Sequence, residues 1–109
     1  MKKVEAIIKP YLLEDVRDSL TQNGFVAMTV SEIRRFRDLD KRLGAQYFGS
    51  VPIRVDFDPG LKVEVVVPDH REEAAIEAIQ AITASAPIWV QGVQDVIRIR
   101  TNEHGELAV

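Results

Sequence analysis

The stretch "LKVEVVVPDHREEAAIEAIQAIT", residues 61–83, changes its hydrophobic period halfway along. Leu61, Val63, Val65 and Val67 alternate with Lys62 and Glu64, the period of two expected of a strand, and Pro68 ends the run. From Arg71 onward the apolar residues fall at helical spacing, which predicts a helix burying Ala75, Ile76, Ile79 and Ile82 or Thr83. Asp69 stands three residues before Glu72, the spacing of a capping box with Asp in place of Ser or Thr. One strand feeds one helix here, and the rest of the chain repeats that order.

At the start, "KVEAIIK" (3–9) has strand character and is closed by Pro10. In "LLEDVRDSLTQNG" (12–24), Leu13, Val16 and Leu20 share a helix face, Glu14 and Asp15 suit its first turn, and Gly24 suits its C′ position. "FVAMTVSEIRRF" (25–36) reads as a second strand and "DVIRIRT" (95–101) as the last one. "GELAV" (105–109) reads as a loose tail or a partner-docking end. The order is β-α-β, a long connection over about 37–55, then β-α-β. It predicts one domain over residues 1–109 of the α+β class, a ferredoxin-like βαββαβ sandwich with both helices on one face of a four-stranded antiparallel sheet. The strands supply apolar residues to both faces: Val4, Ala6 and Ile8 against Ile7, and Val63, Val65 and Val67 against Val66. A second face that apolar is expected to be covered by sister subunits.

Composition narrows the function. At 109 residues, the chain can build a core but gains from association. A net charge of −3 argues against general nucleic-acid binding, which needs a broad basic field. The absence of cysteine excludes disulfides and thiol catalysis. No apolar run approaches the roughly 20 residues of a membrane span, and "MKKVEAIIKP" is not a signal peptide, so a cytoplasmic protein without direct membrane insertion is expected. No Ser-His-Asp pattern or phosphate-loop motif is present, and the reading is that of a non-enzyme.

The 37–55 connection is the first functional candidate, since compact domains rarely keep so long a structureless stretch without a use for it. Arg34, Arg35, Arg37, Lys41 and Arg42 make it locally positive, with Asp38 and Asp40 as counter-charges. It either holds a phosphate or an acidic partner through guanidinium forks, or is a solvated loop with internal Arg–Asp pairs. Arg98 and Arg100, two apart on the expected last strand, either bracket an anion or pair across the sheet with Glu5, Glu32 or Glu64. His70 and His104 have no ligand spacing and read as exposed. Trp89 reads as core or subunit interface.

Several strings, taken in order, resemble the PII signal-transduction family: "MKKVEAIIKP" followed by "LLEDVRDSL", then "AMTVSEIRRF", "VDFDPGLKVEVVVPD" and "VIRIRTNE". The resemblance implies a compact homotrimer that binds nucleotides in clefts between subunits. Its long loop would engage a protein target such as a membrane transporter, a metabolic enzyme or a transcriptional regulator. Thr29, Arg98 and Arg100 match nucleotide-contacting positions of that family. Arg35 and Arg37 replace glycines at the loop stem, and either restore positive charge to the cleft or fill it themselves. The phosphate-binding turn differs. "TASAPIWV" (83–90) is shorter than the family's run and has none of its glycines or its lysine, so ATP or ADP would bind weakly or with altered chemistry, and another anion is an alternative. The stem glutamine and the third-strand lysine that the family uses for 2-oxoglutarate align with Leu39 and Gly60, which argues against that effector. In the loop, Asp38, Lys41, Arg42, Tyr47 and Phe48 are the expected partner-binding residues. "RLGAQY" (42–47) is similar to the string around the family's modified tyrosine, but "FGSVPIR" (48–54) shifts Tyr47 relative to the scaffold, and modification is not inferred. The alternatives are a trimeric adaptor without any small ligand and a metal-binding trimer of the CutA kind.

Overall fold

The computed structural model describes residues 1–37 and 56–109, with the backbone alone at 36–37 and 56–57. Strand β1 (Lys2–Ile8) leads through a short 3-10 turn, Pro10–Leu12, into helix α1 (Leu13–Gln22). Strands β2 (Thr29–Arg37) and β3 (Asp56–Val67) follow, then helix α2 (Glu72–Gln80) and strand β4 (Ile88–Gly92). The sheet order is β2-β3-β1-β4 with every neighbouring pair antiparallel, the ferredoxin-like arrangement that the element order predicts.

Alternation along the two inner strands builds the core. Val4, Ala6 and Ile8 of β1 and Val63, Val65 and Val67 of β3 are buried, and they meet Val16 and Leu20 of α1 and Ala75, Ala78 and Ile79 of α2. Each fully buried Val, Leu or Ile contributes about 1.5–3 kcal/mol. In α1, Glu14 and Asp15 sit in the first turn, where carboxylates complement the helix dipole. The helix ends in a complete Schellman motif. Gly24 adopts φ +89°, its N–H donates to the Thr21 carbonyl at 3.0 Å, and the Phe25 N–H donates to that of Leu20 at 3.0 Å. Arg71 then clamps this corner, donating to the Asn23 carbonyl and stacking 4.6 Å above the Phe25 ring.

Several expectations need correction. The second strand starts at Thr29 rather than Phe25, because Phe25 completes the helix cap. The third begins at Asp56, well before Leu61. Residues 56–60 pair with β2 alone, beyond the end of β1, so Pro59 needs no second partner for its missing N–H. The Asp69–Glu72 capping box does not form. Antiparallel pairing of β1 with β3 brings Met1 beside Asp69, whose carboxylate pairs with the N-terminal amine at 2.9 Å. That contact holds the Asp69 carboxyl below its ordinary pKa.

The last sheet strand is Ile88–Gly92, not residues 95–101. Val90 pairs with Val4 and Trp89 with Glu5 on the free edge of β1. The later segment folds on itself instead. Asn102, at φ +57°, turns the chain so that β5 (Ile97–Arg98) pairs with β6 (Glu103–His104) in a hairpin of its own. Beyond it, Gly105–Ala108 is a 3-10 turn that buries Ala108, so this end is not loose.

The second face of the sheet is also not the apolar surface expected. By alternation and register it carries Lys3, Glu5, Lys62 and Glu64 at its centre, with Ile7, Val66 and Trp89 around them.

Candidate functional site

The strand β2 carries a site candidate at each end. Arg35 lies opposite Asp58 near one end, where a cleft of about 240 Å³ opens between the β2–β3 ribbon and the turn before β4. Its polar lining is Lys9, Arg35, Asp58, Thr83 and Ser85. Lys9 comes from the end of β1, and the hydroxyls come from the turn that follows α2. The Ile7 N–H holds this turn by donating to the Pro87 carbonyl at 3.3 Å. The Thr83 N–H is already committed to the Ile79 carbonyl at 3.1 Å, and Pro87 has no N–H. Among the described residues, Ala84, Ser85 and Ala86 make no backbone–backbone hydrogen bond through their N–H groups, but the turn carries neither a lysine nor a glycine. What the cleft does offer are two cationic side chains and two hydroxyls, facing one carboxylate.

Thr29 lies opposite Glu64 at the other end of β2. A second cleft, of about 230 Å³, is lined there by Thr29, Glu64, Val66, Val96, Ala108 and Val109. Arg98 approaches it from the hairpin and donates to the Ala108 carbonyl at 3.5 Å, while its Nη1 lies 4.0 Å from Glu103. Arg98 and Arg100 do not share a strand face as expected, because Arg98 is in β5 and Arg100 is in the turn that follows. Arg98 pairs within its own hairpin rather than with Glu5, Glu32 or Glu64. Both arginines are exposed.

Thr29 and Arg35 are six residues apart on one strand, about 20 Å at the rise of an extended chain. A single subunit thus keeps the expected anion-contacting residues in two separate groups. The Arg37 side chain and the loop residues Asp38, Lys41, Arg42, Tyr47 and Phe48 lie outside the described side chains.

Sequence reading missed Lys9, Asp58 and Ser85, which belong to three elements that only folding brings together. It also treated His104 as isolated. His104 Nδ1 is 3.0 Å from Asp95 Oδ2, while Asp95 Oδ1 accepts from the backbone N–H groups of Val96 at 2.8 Å and Gly105 at 3.1 Å. These contacts, the one from His104 first, hold the Asp95 carboxyl below its ordinary pKa. Asp95 thereby ties together the two ends of the hairpin. Trp89 is 47% exposed on β4, which removes it from the core. Among the described residues no group of three or more His, Cys, Asp or Glu side chains could hold a metal ion. No helix among them is long and apolar enough to cross a membrane.

These features define a ferredoxin-like α+β domain with a cleft at each end of one strand. The family model described as "Nitrogen regulatory protein P-II" matches residues 1–103. The chain is 42% identical over 118 aligned positions to the nitrogen regulatory protein P-II of Pasteurella multocida, with both chains covered in full. It is 37% identical, again over the full length of both, to nitrogen regulatory protein P-II 1 of Escherichia coli. The chain belongs to the nitrogen regulatory protein P-II family.

Proposed function

We propose that this chain is a cytoplasmic, single-domain signal-transduction regulator. It works as a homotrimer, binds an anion or nucleotide between subunits, and controls a protein target through the 37–55 loop. A membrane transporter or a metabolic enzyme fits as the target, and the protein acts by binding rather than catalysis. Family membership supports the regulatory role. The observation that carries the binding site is the separation of two groups along β2: Arg35, with Lys9, Thr83 and Ser85, at one end, and Thr29, approached by Arg98 through the Ala108 carbonyl, at the other. Two subunits set end to end would join one group to the other, with Arg37 added from the stem. The turn at 83–87, which has no lysine and no glycine, sets the ligand preference. Each missing charge-assisted hydrogen bond forgoes about 1.5–3 kcal/mol, so a triphosphate gains little over a diphosphate or a smaller anion.

Calorimetric titration with ATP, ADP and AMP tests this reading, with Trp89 fluorescence as a second signal. The expected result is weak binding with little preference for the triphosphate, lost in both Arg35→Ala and Arg98→Ala. No heat and no spectral change at millimolar nucleotide would overturn it. The second reading, an adaptor without a small ligand, is favoured by one observation. Arg98 already has internal partners in Glu103 and the Ala108 carbonyl.

A further inference from the structure

At the centre of the open face, Glu5 and Glu64 stand directly opposite each other on β1 and β3. Like charges in that position repel, and a sheet normally avoids them. Here two lysines hold them in place. Lys3 Nζ lies 2.8 Å from Glu5 and 4.0 Å from Glu64, and Lys62 Nζ lies 3.3 Å from the other Glu64 oxygen. The quartet carries no net charge. Its carboxylates are already well covered within one subunit, at 15% exposure for Glu5 and 22% for Glu64. The hydrogen bond from Lys3 to Glu5 lowers the Glu5 pKa and raises that of Lys3.

We infer that this quartet is the register lock of the interface between copies of this chain: the open faces close on one another only when all four charges are paired. The inference rests on the assembly proposed above. The occupant is argued from charge. A neutral set of two cations and two anions suits a second copy of itself and gives a partner of single sign nothing to gain. Continuity supports the same occupant, because Glu64 also lines the Thr29 cleft. Covering the face and completing the ligand cleft would therefore be one event. Once covered, the quartet loses water, and an unpaired member becomes far more costly than an exposed one.

Sedimentation equilibrium of the full chain tests this, with circular dichroism to show that each variant is folded. Lys3→Met removes the cation between the two carboxylates and is expected to weaken association at least about 100-fold while leaving a folded subunit. Lys3→Arg keeps the charge and is expected to associate like the parent chain. Arg17→Met, an exposed control on α1, is expected to change nothing. If the parent chain associates and Lys3→Met associates equally well, the lock is wrong and the assembly stands. If Lys3→Arg dissociates as far as Lys3→Met, shape rather than charge sets the interface, and the inference fails. A parent chain that is monomeric at all concentrations overturns the assembly itself, and the lock with it. A Lys3→Met chain that does not fold also counts against the inference, since the quartet would then be needed within one subunit.

Discussion

The two faces of this sheet are made by alternate residues of the same strands. On the covered face Val4, Ala6, Val63 and Val67 are completely buried under α1 and α2. One residue along, Lys3, Glu5, Lys62 and Glu64 form a ladder of ion pairs with no helix above it among the described residues. The covered face holds the subunit together by removing apolar surface from water. The open face contributes less to that and carries directional charged groups instead. The difference shows that a valine-rich strand does not by itself mean a sheet that is apolar on both sides.

The sharpest test of this contrast is to place the same charge on each face. Val65→Glu, on the covered side, buries a carboxylate without a partner and is expected to abolish folding. Val66→Glu, its neighbour on the open side, is expected to leave a folded subunit with a loss of under about 1 kcal/mol, as surface changes usually do. Circular dichroism and urea unfolding distinguish the two, and equal effects would erase the contrast.

A smaller loss is expected from Leu20→Ala in the helix layer, about 3 kcal/mol in urea unfolding, because the surrounding core closes a cavity only in part. Gly24→Ala comes next, at about 1 kcal/mol. An alanine at φ +89° is strained, and its Cβ would lie 3.4 Å from the Arg71 guanidinium that clamps the corner. A loss as large as that of Leu20→Ala would show that the cap, not the core, limits this layer.

The smallest effects belong to the open face, and they depend on pH. The Glu5 pKa is depressed, so its contribution is complete above the ordinary glutamate value of about 4.3 and is lost as pH falls through its lower folded value. The Lys3 pKa is raised, so its contribution is complete below about pH 10.4 and is lost as pH rises through the higher folded value. Glu5→Gln is expected to flatten the acid limb of the stability profile and to leave neutral-pH core packing unchanged. Urea midpoints measured across the pH range check both limbs.

Much of the fold was legible from local pattern. The alternation in 61–67, the helical spacing of Val16 and Leu20, and glycine at the C′ position of α1 each act over a few residues, and each appears where expected. The last strand was not legible. "IWVQG" and "DVIRIRT" both have strand character, and the edge of β1 accepts only one of them. Asn102 was the available signal against the second, as a residue that tolerates a left-handed turn. In the same way Asp95 and His104, nine residues apart, show no motif until the hairpin closes.

The sequence by itself determined the α+β class, the two helices and most of the residues that fill the core, because these follow from period and from backbone preferences that act locally. Around α2 it missed Ala78 and placed the half-buried Ile76 and Ile82 in its stead. Tertiary structure alone decided which strand closes the sheet, that two like charges would face each other across β1 and β3, and that Thr29 and Arg35 would lie at opposite ends of one subunit. Register and edge pairing are settled between segments distant in sequence, and no local pattern contains that choice.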